Sequence, residues 1–180
     1  MAKKINSGIV FTGIPSIEEL KSSPGFPSEE RLKKGPVAVI ECVQEIPCDP
    51  CEEACPFEAI KVGKPITNLP ILYEDKCVGC GKCIPFCPGL AIFLVDTTFS
   101  KTEALVKFPY EYLPLPKVNS LVDAVDREGN IVTEARIIKV DSSDKYDCTV
   151  VVSIAIPKRF AQKVRGIALN RGDKNGWQER

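Results

Sequence analysis

The stretch "CVGCGKCIPFCPG" (residues 77–89) is the part of the chain that decides the fold. Its cysteines follow the spacing Cys77-x2-Cys80-x2-Cys83-x3-Cys87-Pro88. Three cysteines separated by two residues can wrap a compact loop and present three thiolates to one centre. Gly79 and Gly81 suit so tight a loop, because glycine accepts backbone angles that other residues resist. The fourth cysteine, followed by proline, points away from the first three.

Half of this pattern occurs a second time upstream. The segments "CEEACPFEAI" (51–60) and "CIPFCPGLAI" (83–92) align without a gap, and both read C-x3-C-P-x-x-A-I. The repeat predicts a pseudo-two-fold module with two equivalent loops. Eight of the nine cysteines lie between residues 42 and 87, and Cys148 stands apart and is predicted to be structural at the start of a strand.

The cysteine spacing favours iron–sulfur clusters over the two other uses of clustered cysteines. Disulfide frameworks need an oxidising compartment, and the amino-terminal sequence has no signal-peptide pattern. Structural zinc sites usually pair two Cys-x2-Cys knuckles. The run C-x2-C-x2-C-x3-C-P is instead typical of iron–sulfur proteins.

Composition excludes several functional classes. The 180-residue chain has 24 basic and 24 acidic residues, so it lacks the basic excess of a nucleic-acid-binding protein. No segment approaches the length of about 20 apolar residues that a membrane helix needs. Because the chain has no histidine, catalysis by a histidine base is excluded. Neither a dinucleotide-binding glycine motif nor a P-loop occurs. These features predict a cytoplasmic protein.

Residues 36–95 resemble the bacterial-type ferredoxins that carry two [4Fe-4S] clusters. The resemblance covers about a third of the chain and rests on the motifs quoted above. It implies crossed ligation, in which each cluster takes one cysteine from the other half of the module. One cluster would take the second group of cysteines: Cys77, Cys80, Cys83 and Cys55. The other would take Cys48, Cys51, Cys87 and a fourth ligand.

Three hypotheses compete for that fourth ligand. Cys42 could serve from a loop three residues longer than usual, Glu45 could supply a carboxylate from the usual cysteine position, or the cluster could contain only three irons. Thiolate matches iron in these clusters far better than carboxylate does. The apolar run Val37–Ile40 predicts a strand that ends next to Cys42. We therefore favour Cys42, which gives the first group of cysteines: Cys42, Cys48, Cys51 and Cys87.

The rest of the chain predicts an α+β protein with a β-rich carboxyl-terminal unit. Residues 1–35 form an extension with two capped short helices, either solvated or wrapped around a partner. Residues 96–119 are predicted to be an extended linker. Residues 120–169 predict a small β-barrel or sheet with a turn at 127–130 and a closing helix at 158–169. Residues 170–180 predict a polar tail.

The resemblance implies a non-catalytic electron-transfer subunit of an oxidoreductase. Because most of the chain lies outside the cluster module, we expect a hetero-oligomer of the kind found in multi-subunit dehydrogenases of anaerobes. There, a flavoprotein subunit oxidises an amino acid, hydroxy acid or related small molecule, and iron–sulfur subunits relay single electrons onward. Two alternatives stay open. One is a free, extended ferredoxin shuttle, and the other is a catalytic or sensing protein with an open iron.

Overall fold

A computed structural model describes residues 7–143, 146, 149–169 and 177–178, the last two without their side chains. The predictions for Cys148 and for most of the tail at 170–180 lie outside the described residues. The helices are short: α1 Ile9–Thr12, α2 Ile17–Ser22, α3 Glu29–Leu32 and α4 Pro50–Glu53. The strands are β1 Val37–Ile40, β2 Ile60–Lys61, β3 Ile71–Leu72, β4 Ile92–Asp96, β5 Glu103–Tyr110, β6 Leu115–Pro116, β7 Leu121–Val125, β8 Ile131–Asp141, β9 Val150–Pro157, β10 Gly166–Ile167 and β11 Trp177–Gln178.

One seven-stranded antiparallel sheet runs through both halves of the chain. Its strand order is β1-β4-β5-β9-β8-β7-β10. Strands β1 and β4 belong to the cysteine-rich half, and the other five belong to the carboxyl-terminal half. Since β4 pairs with β5 from Leu94 to Asp96, the two halves share one backbone hydrogen-bond network. The fold is therefore a mixed α+β structure with a β-rich carboxyl-terminal part, as expected.

Side-chain patterns explain the strands that carry the cysteine module. All four residues of β1 are buried, and three of them are β-branched, a residue type that fits the pleated surface of a sheet. Residues of β5 alternate between half-buried and buried positions, the period-2 pattern of a strand with one face on a core. The predicted strand at 37–40 and the predicted turn at 127–130, which joins β7 to β8, are both confirmed.

Two predictions for the carboxyl-terminal half are wrong. The expected linker at 96–119 contains β5, an eight-residue strand near the centre of the sheet. The expected closing helix at 158–169 is a 3₁₀ turn, Lys158–Phe160, followed by β10. Val164 and Ile167 are β-branched and Gly166 lies between them, so helix propensity there is poor. Ile167 instead pairs with Ala124 of β7.

The amino-terminal extension is part of the fold from residue 20 onward. Both predicted caps form: Ser16 makes a full capping box with Glu19, and the Ser28 side chain accepts a hydrogen bond from Arg31 N. Leu20 and Leu32 are fully buried. This part of the extension packs on the cysteine module, which neither of the two hypotheses for residues 1–35 anticipated.

Candidate metal centre

The first group of cysteines comes together around Cys87. Burial raises the pKa values of the Cys42, Cys48 and Cys51 thiols, and the nearby Cys87 thiol raises each of them further. For Cys51 the pKa reaches about 12. Thiols from both halves of the repeat are therefore close enough to interact electrostatically, and Cys42 is one of them.

The second group lines a single cavity. Burial raises the pKa of Cys83, and the Cys77, Cys80 and Cys55 thiols add to the effect. All four line one cavity, whose remaining walls are mostly apolar and include Ala38, Ala59 and Ile60. Cys55 reaches this cavity from the upstream half of the repeat, and the other three come from the downstream half.

The donor set of both groups fits iron–sulfur clusters. Crowded, buried thiols resist ionisation, so four thiolates become stable only where metal cations supply positive charge. The cavity of the second group is lined by thiols, by mostly apolar residues and by Lys82, without a carboxylate. Among the described residues, no three histidine, cysteine or acidic side chains are arranged to hold a single metal ion.

Backbone amides point at three of the thiols. Ala59 N donates to Cys55 Sγ at 3.2 Å, Ala91 N to Cys87 Sγ at 3.4 Å, and Ala38 N to Cys77 Sγ at 3.5 Å. Ala59 and Ala91 are the alanines of the repeated C-P-x-x-A-I. Hydrogen bonds of this kind stabilise sulfur that carries negative charge and raise the reduction potential of a cluster.

The repeat builds the same turn twice. The residue before each donating alanine has a left-handed backbone, with φ 50° at Glu58 and φ 52° at Leu90. The isoleucine after each alanine, Ile60 or Ile92, is fully buried. Each half therefore aims one amide at its own Cys-Pro cysteine and covers the site with one apolar side chain.

The two candidates for the fourth ligand of the first group lie in different surroundings. Cys42 follows β1, is half-buried, and its thiol lies near those of Cys87 and Cys48. Glu45 is exposed in the loop between Cys42 and Cys48. The geometry favours Cys42 over Glu45 as the residue that completes the group.

Two supporting arginine sites were missed by the sequence analysis. Arg31 donates to the carbonyl oxygens of Glu74, Gly35, Pro36 and Cys77, which clamps the second cysteine loop onto the extension. Glu41, next to Cys42, accepts hydrogen bonds from Arg127 Nε at 2.7 Å and Arg165 Nε at 2.6 Å. Isolated arginines carry no spacing signal, so no sequence pattern could have located these contacts.

The glycines of the second loop offer a matched pair of substitutions. Both Gly79 and Gly81 have left-handed backbones, but a Cβ on Gly79 would lie 2.4 Å from the Pro36 carbonyl oxygen, whereas the nearest atom to a Cβ on Gly81 is a side-chain carbon at 3.5 Å. We expect Gly81→Ala to cost about 1 kcal/mol from backbone strain alone. Gly79→Ala should cost about 3 kcal/mol and lower the iron content of the second group, because the backbone must move. Urea unfolding and iron analysis of the two variants measure the difference. Equal losses would show that the contact with Pro36 does not matter.

Comparison with known proteins defines the class. The LdpA Fe-S cluster-binding domain matches residues 42–98, a range that contains all eight clustered cysteines. The chain therefore carries an iron–sulfur cluster-binding domain, and its eight cysteines are consistent with two clusters.

A ferredoxin of Saccharopolyspora erythraea is 33% identical over 91 residues, which cover 51% of this chain and 72% of that ferredoxin. The chain belongs to the ferredoxin family. An uncharacterised ferredoxin of Methanocaldococcus jannaschii is 38% identical over 75 residues, 41% of this chain and 46% of the relative.

Another relative is one component of a larger assembly. This component, from the Na⁺-translocating ferredoxin:NAD⁺ oxidoreductase complex of Acetobacterium woodii, is 42% identical over 57 residues, 32% of this chain and 16% of the relative. This chain thus spans less than half the length of the archaeal ferredoxin and a small part of the Acetobacterium protein.

No solved structure matches the chain. Within the described residues, no helix is long and apolar enough to cross a membrane.

Proposed function

We propose that the protein transfers single electrons through two [4Fe-4S] clusters as a subunit of an oxidoreductase complex. The observation that carries this proposal is the cavity shared by Cys55, Cys77, Cys80 and Cys83, because one ligand comes from the opposite half of the repeat. The first cluster would be held by Cys42, Cys48, Cys51 and Cys87. Crossed ligation of this kind belongs to two-cluster ferredoxins, which pass electrons from one cluster to the next.

The chain's own residues would set how readily the clusters accept electrons. The clusters supply the one-electron redox chemistry when bound. Amides of Ala38, Ala59 and Ala91 stabilise negative charge on the cysteine sulfurs. Ile60 is buried and lines the cavity of the second group, and an apolar wall of this kind disfavours the more negatively charged reduced state. The balance of these two effects tunes the potentials.

Exposed residues beside the second cluster would let it exchange electrons with a redox partner. Cys80 is exposed. Val78 and Phe57, which line the same cavity as Cys80, are each about half-exposed. An exposed thiol ligand with apolar neighbours suits brief contact with a redox partner. We infer that this partner is a flavoprotein dehydrogenase subunit, a proposal supported by the Acetobacterium relative, itself part of a complex. A free shuttle would use the same surface.

The test of cluster content is anaerobic purification of the full chain. We expect a brown protein with about eight irons and eight sulfides per chain, and two clusters that titrate as one-electron centres by electron paramagnetic resonance. A colourless protein with stoichiometric zinc would refute the proposal. Copurification of a flavoprotein from the native organism would support the subunit role, whereas a monomer without companions would favour the free shuttle.

A further inference from the structure

A separate cavity is lined by residues near the first cysteine group and by residues of the carboxyl-terminal half. We call it the aromatic groove. The residues that matter for its chemistry are Cys42, Ala91, Phe93, Tyr110, Tyr112 and Arg127, with Arg165 at its base. The proposed binding of two clusters gives no role to the aromatic and arginine side chains of this groove.

The base of the groove carries an excess positive charge. Glu41 is buried and is shared by two arginines, Arg127 and Arg165. Asp126 also lines the groove, but it pairs with Lys163 at 3.7 Å. The Glu41 network therefore has two guanidinium groups for one carboxylate, which leaves a net charge of one. Burial lowers the pKa of Arg165 to about 10, so it stays charged at neutral pH.

The network also has donors without acceptors. Arg165 Nη2 is buried and has no hydrogen-bond partner, although buried polar groups nearly always find one. Arg127 binds Glu41 through Nε and Nη2 and Gln162 O through Nη2. Its Nη1 has no hydrogen bond within the described part of the chain. With 16% of its side chain exposed against 3% for Arg165, Arg127 is the guanidinium that an incoming anion meets first.

The walls of the groove suit a flat apolar body. Tyr110 and Tyr112 meet edge to face with ring centroids 5.6 Å apart, and Tyr112 is 57% exposed. Phe93 lies under the Arg165 guanidinium, 5.3 Å from ring centroid to Cζ. Aromatic rings bind planar rings by stacking and edge contacts. Tyr112 and Arg127 line the same groove, which thus offers an exposed aromatic ring and a fixed guanidinium to a compound that is both flat and anionic.

The groove adjoins the first cysteine group. Cys42 and Ala91 form part of its wall, and Ala91 N is the amide that donates to Cys87 Sγ. We propose that the aromatic groove binds a flat aromatic anion of the flavin mononucleotide class, with its phosphate on Arg127 and its ring against Tyr112. A ring held there could exchange one electron with the first cluster. That exchange rests on the proposed function, whereas the binding does not.

The test is a titration of the iron–sulfur-loaded full chain with flavin mononucleotide, followed by equilibrium dialysis or flavin fluorescence. Riboflavin is the matched control, because it has the same ring and lacks the phosphate. We expect flavin mononucleotide to bind about tenfold tighter than riboflavin, since a hydrogen-bonded charge pair contributes that much. Inorganic phosphate at millimolar concentration should compete.

Two variants locate the site. Arg127→Gln leaves Glu41 paired with Arg165 alone, so the network loses its excess charge but keeps a balanced ion pair, and the chain should fold. The flavin mononucleotide affinity of this variant should fall about tenfold, to that of riboflavin. Tyr112→Ala, at an exposed position, should weaken both flavins alike. Absence of saturable binding, equal affinity for the two flavins, or an unaltered Arg127→Gln variant would overturn the inference. If the chain bound flavin mononucleotide but took up no iron–sulfur cluster during anaerobic preparation, the proposed function would be refuted and the flavin site in the groove would stand.

Discussion

Cys42→Ser is expected to lose about one iron from the first cluster and to yield a three-iron signal by electron paramagnetic resonance after oxidation. The reason is that the Cys42 thiol is close enough to those of Cys87 and Cys48 to interact with them electrostatically, and serine oxygen is a poorer match than thiolate to cluster iron. If the serine cannot hold the remaining cluster, the whole first cluster will be lost. In either case, the signal of the second cluster should persist.

Two controls separate ligand loss from a general effect of substitution. Glu45→Gln removes the competing carboxylate from the exposed loop and should leave about eight irons per chain, as in the unaltered protein. Cys148→Ser removes a thiol remote from the repeat in sequence and should also change nothing. Two intact four-iron clusters in Cys42→Ser would show that another group completes the first site. Loss of iron in Glu45→Gln instead would identify that group.

Local sequence signals predicted the parts of the fold that depend on neighbours in the chain. The β-branched run at 37–40 became β1, the Ser16 and Ser28 caps formed, and the turn at 127–130 joins β7 to β8. The C-x3-C-P-x-x-A-I repeat likewise anticipated two equivalent turns. Each of these features is set by residues within one turn of helix or one hairpin.

Features that depend on distant partners were missed. The segment at 103–110 contains Pro109 and was predicted to be a linker, yet β4 and β9 pair with it on both sides. The apolar spacing at 160–167 predicted a helix, but Arg165 is held by Glu41, 124 residues away in sequence. Pairing and burial override local propensity in such cases.

The Glu41 network ties the carboxyl-terminal half of the chain to the cysteine module. Glu41 N donates to Ala91 O at 2.8 Å, and Ala91 N donates to Cys87 Sγ. The carboxylate of the same residue is fixed by Arg127, after β7, and Arg165, before β10. A single buried residue thus connects the loops of the first cysteine group to the far end of the sheet.

Glu41→Gln is therefore expected to destabilise the protein by about 3–5 kcal/mol, because it leaves the buried Arg165 and the partly buried Arg127 without a counter-charge. The matched control is Glu103→Gln, which removes the carboxylate of a half-exposed pair with Arg136 at 3.3 Å and should cost at most about 1 kcal/mol. Anaerobic urea unfolding, followed by far-ultraviolet circular dichroism, measures both. Equal losses would show that burial adds nothing to the Glu41 pairing.

The pH dependence of stability tests independently whether the charge of Glu41 causes this loss. Burial opposes ionisation of Glu41, but hydrogen bonds and charges from Arg127 and Arg165 outweigh it, so the pKa of Glu41 is lowered. A carboxylate with a lowered pKa contributes stability above the ordinary glutamate value of about 4.3 and loses it as the pH falls through the folded-state value. The gap in unfolding free energy between the unaltered protein and Glu41→Gln should thus be full at pH 7 and shrink in acid. A gap that stays constant with pH would mean that glutamine disturbs the packing and that the lost charge is not the cause.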